Sequence, residues 1–390
     1  MKIAINGIGI AGPALAWWLK FYGHQPVLFE KSPELRTGGY IIDFWGVGYD
    51  VAEKMGLIPA LQSKSYKIDS LKLVNSYGKK VAAMNTKFLR EATKNRFFSL
   101  TRSDVSQVLF KACEKEKIEA NFGLSIVGVE EIDNAVLATL SDGSNEKFDL
   151  VVGADGLHSK IRQVVFGPSE NFLYHMDAVV SAYTLQDYQP RDELTYVAHA
   201  TPMKQVSRVS LRDKKTLFLF TFRSELIQTW PKNHQEQKQI LRSIFSDMNW
   251  EVPQILSRLD EVDDLYFDSV SQIRMKTWHQ GRVILLGDAA CCISLLGGEG
   301  TGLAITEGFL LAKQINADHG NFALAFKNYE KKLRSFILQK QNQAQKLLIF
   351  FAPTNSWQIF IRNLVMKITN IKFLFNILVA KTLRDDIDIS

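Results

Sequence analysis

The chain has 390 residues, of which 46% are hydrophobic and 23% charged, with a net charge of +6. That length calls for two domains, and that hydrophobic share excludes a disordered chain. The basic residues are dispersed rather than gathered into a stripe, which speaks against a nucleic-acid binder, and no run approaches the roughly 18 apolar residues of a membrane span. The three cysteines, Cys113, Cys291 and Cys292, form no C-x-x-C or metal-ligand spacing. A monomer in a reducing, cytoplasmic compartment is expected, without metal or disulfide framework.

Residues 2–6 form a short apolar strand, followed by Gly7, Gly9 and Gly12 in the pattern G-x-G-x-x-G. An apolar helix follows, with Pro13 and Ala14 in its first turn, then a second strand, Pro26 to Phe29, ending on Glu30. The first glycine permits the tight turn, the second lets backbone approach a pyrophosphate, and the third allows helix to pack on strand. The helix N-terminus offers N–H groups to phosphate, and an acid about 20 residues on suits ribose hydroxyls. The apolar start after Lys2 has the look of a signal peptide, but the glycines and the uninterrupted strand-helix-strand oppose that reading. This is a dinucleotide site, and the glycines leave FAD or NAD(P) open.

Lys31 follows, then Arg36 and the paired glycines Gly38 and Gly39, which mark a loop running to Asp43. Residues 47–57 read as a helix ending near Gly56, and 70–75 and 80–85 as strands around a turn at Tyr77-Gly78. Ser103 is the expected N-cap of the next helix, leaving Arg102 immediately before it, in reach of a phosphate. A small meander spans 119–140, with a turn at Asp142-Gly143. Leu150 to Gly153 is a buried strand ending in Asp155-Gly156, where open α/β sheets place ligands, and Ser159 starts a helix.

From about 171 to 268 strand-like stretches dominate, at 178–185, 194–200, 205–211 and 216–222, with two short helices in 234–260. Their aromatics either line a ligand cavity or form plain core. Tyr183, Phe220 and Phe222, with His199, are the candidate substrate contacts. The first pattern then returns: a buried strand, 282–286, closes on Gly287-Asp288, and a glycine run, Gly297 to Gly302, opens a helix. Gly300, Thr301 and Gly302 would let backbone approach a ring or phosphate. The rest is helical with a break at Pro353-Thr354-Asn355. Beyond it Phe360, Leu364, Ile368, Ile371, Phe375 and Leu378 recur at helical spacing. That helix either lies on a membrane surface or packs on the two domains, and packing is preferred.

Together these motifs resemble the flavoprotein monooxygenases of the para-hydroxybenzoate hydroxylase type, over nearly the whole chain. Within that family the tetracycline destructases are most alike, through Val27 to Ser32, the Gly-Gly loop ending in Asp43, and Trp278 with Gly281-Arg282. The resemblance implies an α/β fold: an FAD-binding, glutathione-reductase-type Rossmann domain from 1–70, 96–170 and 270–320. An antiparallel-sheet substrate domain, 71–95 and 171–269, interleaves with it, and C-terminal helices, 321–390, bridge or cap the two.

The resemblance also assigns Gly7, Gly9, Gly12, Glu30, Lys31, Asp43, Arg102, Asp155, Asp288 and Gly300 to Gly302 to the cofactor, FAD, with NADPH or NADH as co-substrate, and Arg36, on the loop that leads to Asp43, could reach the same ligand. It implies oxygenation of a small organic substrate by O2 through a flavin C4a-hydroperoxide, with a tetracycline as the expected substrate. No catalytic side chain is then needed. A same-fold hydroxylase of another aromatic or polyketide, and a non-catalytic, membrane-docked flavin protein, are the rivals. Departures cluster around the ring site: Leu295 for the usual Pro, Gly298-Glu299-Gly300 for Gly-Gln-Gly, Gly302 for Asn, and Cys291 after Ala-Ala. No second G-x-G-x-x-G and no C-x4-C pair mark a disulfide reductase, and no W-x-W-x-I-P marks a halogenase.

Overall fold

A computed structural model describes residues 1–36, 40–318, 320–371 and 387–389. Gly38 and Gly39, and Phe375 and Leu378 of the expected C-terminal stripe, lie outside the described residues.

The first of two large sheets runs in the order His279–Gln280, Val283–Leu285, Leu150–Gly153, Lys2–Asn6, Gln25–Glu30, Glu119–Phe122. All neighbours are parallel except the first pair. Strands covered on both faces read as continuous apolar runs, and Leu150, Val151, Val152, Ile284 and Leu285 are all fully buried. Register then matters. Asn6 lies beside Gly153, and Gly153 beside Leu285. Three segments remote in sequence therefore stop level, and the loops beginning at Gly7, Ala154 and Leu286 share one edge of the sheet. That is the carboxyl edge, where such sheets bind ligands.

The second sheet has seven strands, in the order Tyr266–Ile273, Leu173–Gln186, Lys215–Arg223, Lys204–Ser210, Thr195–Thr201, Ser70–Val74, Lys80–Asn85. Only Thr195–Thr201 and Ser70–Val74 pair in parallel. Its two faces differ. Tyr183, Phe218, Phe220 and Phe222 point to the helices His234–Phe245 and Val252–Ser257, packing on Leu241, Phe245, Val252 and Ile255. Ala182, Val209, Leu217 and Leu219 point the other way, to Tyr40 and Ile41.

Some boundaries differ from the expected ones. Thr101, not Ser103, caps the helix Arg102–Lys115: its hydroxyl accepts from the Asp104 N–H at 3.1 Å, so Arg102 is the first helical residue. The expected helix at 47–57 is Gly46–Lys54, ending just before Gly56 in the left-handed region, and a short helix not expected, Ile58–Ser63, follows it. The short strands Ile41–Phe44 and Phe98–Thr101, a two-stranded pair, carried too few residues to show a period. Ser159 does cap its helix, accepting from the Arg162 N–H. The C-terminal break also falls as expected, between Phe322–Phe351 and Ser356–Ile368.

Helices Gly46–Lys54 and Gly300–Ala317 cross at two glycines. A Cβ on Gly48 would sit 2.3 Å from the Gly302 Cα, whereas one on Gly302 would meet nothing closer than 3.6 Å. Gly48→Ala should therefore cost about 1–3 kcal/mol through overpacking. Gly302→Ala should be neutral or gain up to about 1 kcal/mol from helix propensity. Urea midpoints of the two variants test this, and equal losses would contradict the asymmetry.

Candidate active site

The strand Lys2–Asn6 hands the chain to Gly7 at φ +120°, where a Cβ would lie 2.3 Å from the Ala154 carbonyl oxygen. No other residue type fits that turn without moving the neighbouring strand's exit. Gly9 is open by contrast: a Cβ there would meet only Arg102 Nη2, at 3.9 Å. The Arg102 guanidinium thus stands over the loop entering the helix Ala11–Phe21. It makes no hydrogen bond or ion pair to a described residue. An open backbone loop, a helix N-terminus and an uncommitted cation together fit a pyrophosphate.

Glu30 is held at the end of its strand. Its Oε2 accepts from the Ile8 N–H at 3.0 Å and its Oε1 from the Ser32 N–H at 3.1 Å. Each oxygen keeps a further lone pair for a ribose hydroxyl. Pro13 and Ala14 are buried in the first turns of the helix, while Lys31 and Arg36 are exposed on the rim.

Asp155 is committed to the protein itself. Its carboxylate accepts from Asn6 Nδ2, Ser159 Oγ and the N–H groups of Lys160 and Ile161, at 2.5 to 3.2 Å. It anchors the helix Lys160–Phe166 to the first strand. Arg162 on that helix, fully buried, donates to the Leu157 carbonyl at 2.6 Å and the Ala289 carbonyl at 3.0 Å. One guanidinium therefore ties the Asp155-Gly156 loop to the Gly287-Asp288 loop. Burial among carbonyls without a carboxylate in contact lowers its pKa. Sequence reading missed Arg162, and its three-residue spacing from Ser159 is the only signal for it.

Asp288 begins the short helix Asp288–Cys291, half-buried at the sheet edge. Behind it lies a second missed residue. Glu307, 1% exposed, accepts from the Gly287 N–H at 2.6 Å and from Tyr329 Oη at 3.3 Å, and Cys291 Sγ lies 3.5 Å away. Desolvation raises its pKa from 4.5 to about 7, against the pull of these donors. Because the folded value is raised, protonation favours the fold: the benefit is full below the unfolded pKa and fades as pH climbs through about 7. The penalty for ionised Glu307 at alkaline pH is on the order of 3 kcal/mol. Melting temperature should fall from pH 5.5 to 8.5 more steeply in the wild type than in Glu307→Gln, and parallel slopes would refute the assignment.

Gly300, Thr301 and Gly302 open the helix Gly300–Ala317, whose first intrahelical bond is Leu303 N–H to the Glu299 carbonyl at 3.0 Å. Their own N–H groups have no intrahelical partner and can face a ligand. A Cβ on Gly300 would meet nothing within 4 Å. Beside them is a cleft lined by Asp43, Trp45, Glu299, Leu303 and Thr306. Asp43 is open to solvent through this cleft, and the protein packed around its carboxyl raises its pKa while its bond from Ser99 Oγ opposes the shift. Glu299 pairs with the buried Lys340 of the long C-terminal helix. A second tie runs from that helix: Gln341 Nε2 donates to the Ile273 and Cys292 carbonyls, and Gln272 Nε2 returns to the Gln341 carbonyl. Between the two ties, Ser294 holds φ +95° and ψ 145°, a conformation that belongs to glycine, steadied by its Oγ accepting from Leu296 N–H at 3.2 Å.

The structure corrects the four expected substrate contacts. Tyr183, Phe220 and Phe222 are 2%, 0% and 0% exposed, in the core under the two helices. His199 is opposite Val206, and Val206 opposite Phe220, so it shares their face. Its Nδ1 lies 3.1 Å from the Val74 carbonyl oxygen, its ring stands edge-on to Trp250, and desolvation lowers its pKa. The opposite face looks toward the Gly287-Asp288 and glycine loops. It carries Tyr196, Leu219 and Tyr266, and meets Tyr40, Leu295 and Leu296. Tyr40 and Tyr266 rings stand 5.9 Å apart. Burial pushes the Tyr40 and Tyr196 phenols up to about 12 and the Tyr266 phenol well above its usual value, so all three are neutral donors. Alternation identified the strands but not which of two equivalent-looking faces meets the other sheet.

Comparison with known proteins agrees with this geometry. The pattern of the FAD binding domain family matches residues 1–321. A flavin-dependent monooxygenase of Legionella longbeachae is 34% identical over 345 residues, 86% of each chain. The crystal structure of the tetracycline destructase Tet(51) is 30% identical with a TM-score of 0.79, covering 95% of this chain and 97% of that one. For Tet(55) the values are 29% and 0.82, covering 95% and 96%. With the open helix N-terminus, Arg102 and Glu30 in place for a dinucleotide, the chain belongs to the FAD binding domain family and is a flavin-dependent monooxygenase.

Proposed function

We propose that the protein uses NADPH or NADH and O2 to insert one oxygen atom into a polycyclic phenolic substrate, a tetracycline, and so inactivates it. The supporting observation is the likeness to the tetracycline destructases Tet(51) and Tet(55), at 30% and 29% identity. The family pattern ends at residue 321, yet the resemblance to Tet(51) runs over 95% of the chain. It therefore takes in the C-terminal helix that braces the glycine loop through Lys340 and Gln341.

The redox chemistry and O2 activation are those of bound FAD. Gly9 and the N-terminus of the helix Ala11–Phe21 would hold its pyrophosphate, with Arg102 neutralising charge and Glu30 binding the ribose. Asp288 would hold the ribityl chain, and the free N–H groups of Gly300 to Gly302 would serve the ring. Asp155 and Arg162 act by keeping the loops in register. The phenols of Tyr40 and Tyr266 stay protonated and donate to substrate oxygens, while the Tyr196 hydroxyl is held by Ser207 Oγ. The enclosing apolar side chains Leu219, Leu295 and Leu296 keep water from the reacting centre. One turnover consumes substrate, O2, NAD(P)H and a proton, and yields the oxygenated product, water and NAD(P)+.

FAD-loaded protein incubated with NADPH, air and a tetracycline should give a product heavier by one oxygen, with matched NADPH consumption. No added oxygen with any tetracycline, beside efficient hydroxylation of a simpler phenol, would move the assignment to a same-fold hydroxylase. Leu295, Glu299 and Gly302, which depart from the family pattern around the ring, favour that second reading.

A further inference from the structure

We propose that the outward face of the helix Ser356–Ile368 is a docking surface for an anionic lipid bilayer. Only Arg362 and Met366 of its 13 residues are buried. Met366 seats against Leu73, Ala82 and Ala198, and Arg362 donates to Gln205 Oε1 at 2.7 Å and to the Phe350 carbonyl. This narrow seam fixes the helix rotation. The side turned away from it carries Trp357, Phe360, Ile361 and Leu364, and Ile371 follows just past the helix end. Trp357, Phe360 and Leu364 are 67%, 56% and 48% exposed, and the Trp357 and Phe360 rings stack at 5.5 Å. A helix packed for stability alone would put polar residues there. An exposed apolar stripe led by Trp and Phe is the pattern of a helix lying in a membrane interface.

Charge selects the partner. From Lys331 to Ile371 there are seven Lys or Arg and no Asp or Glu. Lys340 and Arg362 are buried and Lys332 and Arg334 pair with Asp388 and Glu330, so the charge turned to solvent is that of Lys331, Lys346 and Lys367. Lys346 and Lys367 are exposed, the latter in the last turn of the stripe-bearing helix. A neutral or basic surface gains nothing from these lysines, while an anionic headgroup layer complements them and takes the adjoining apolar stripe into its interface. No described helix is long and apolar enough to cross a membrane, so contact is peripheral.

The test uses the full-length, FAD-loaded protein and sedimentation with vesicles of phosphatidylcholine alone or with about 30% phosphatidylglycerol. Binding to the anionic vesicles should be at least about tenfold tighter and weaken with salt. The double variant Phe360→Ser with Leu364→Ser should lose it by about tenfold or more, and Lys367→Glu should weaken it. Both leave the buried seam intact, so flavin absorbance and circular dichroism should be unchanged. Absence of binding to anionic vesicles, or equal binding by the double variant, would overturn the proposal. So would a concentration-dependent dimer, abolished by the same pair of substitutions, in a protein that ignores vesicles.

Discussion

Gly12→Ala will lose FAD and stability together, whereas Gly9→Ala will lose FAD alone. A Cβ on Gly12 would lie 2.0 Å from the Gly7 carbonyl oxygen and 3.3 Å from Ile5 Cγ2. Both are parts of the strand and turn on which the helix Ala11–Phe21 rests, and neither can yield without moving the turn. Overpacking of this kind costs about 1–3 kcal/mol in the apoprotein. It also tilts the helix N-terminus away from the phosphates, so FAD affinity should fall by about 100-fold or more. Gly9 has only the tip of the Arg102 side chain near its Cβ position, at 3.9 Å. Alanine there leaves the protein contacts alone and intrudes on the ligand side. Fluorescence titration with FAD, beside thermal melts of both apoproteins, separates the two. Retention of FAD by Gly12→Ala at wild-type affinity would show that the close approach is not what forms the site.

Adjacent residues on one strand should fail in different ways. Phe220→Ala removes a fully buried ring packed edge-on against Phe245 and stacked with Tyr183. It should cost about 3–5 kcal/mol, with little change in KM for the protein that remains folded. Leu219, one residue earlier, lies on the opposite face, packed against the same cluster as Tyr196 and Tyr266. Leu219→Ala, half-buried, should cost about 1 kcal/mol or less and raise KM several-fold, because it lines the side facing the flavin loops. The pair is read by urea unfolding and steady-state NADPH oxidation on the same preparations. A KM effect confined to Phe220→Ala would mean that substrate enters from the helix-covered face, and that the assignment of faces is reversed.

The proposed nucleotide end of the site rests on residues that can be read locally. Gly7, Gly9 and Gly12 act within one turn, and Glu30 ends the next strand. Arg102 stood out only as a residue at a helix start, whose cap, Thr101, lies two residues before the expected Ser103. The ring end was less legible. Glu307 reads as a polar residue inside an apolar helix, and nothing nearby in sequence says that the Gly287 N–H is its partner. Arg162 likewise acquires its meaning from the Ala289 carbonyl, 127 residues away.

By itself the sequence determined most of the elements, the break before the last helix, and the three strand ends at Gly7, Asp155 and Asp288. These depend on period, turn chemistry and composition, all short-range properties of a chain. Only the tertiary structure decided which face of the seven-stranded sheet meets the flavin loops, that Gly48 and Gly302 set a helix crossing, and that the Ser356–Ile368 helix buries its narrow side. A strand shows the same alternation whichever face is covered, and a helix the same stripe whichever way it is turned. The choice is made by what packs against them, and that is a relation between distant segments.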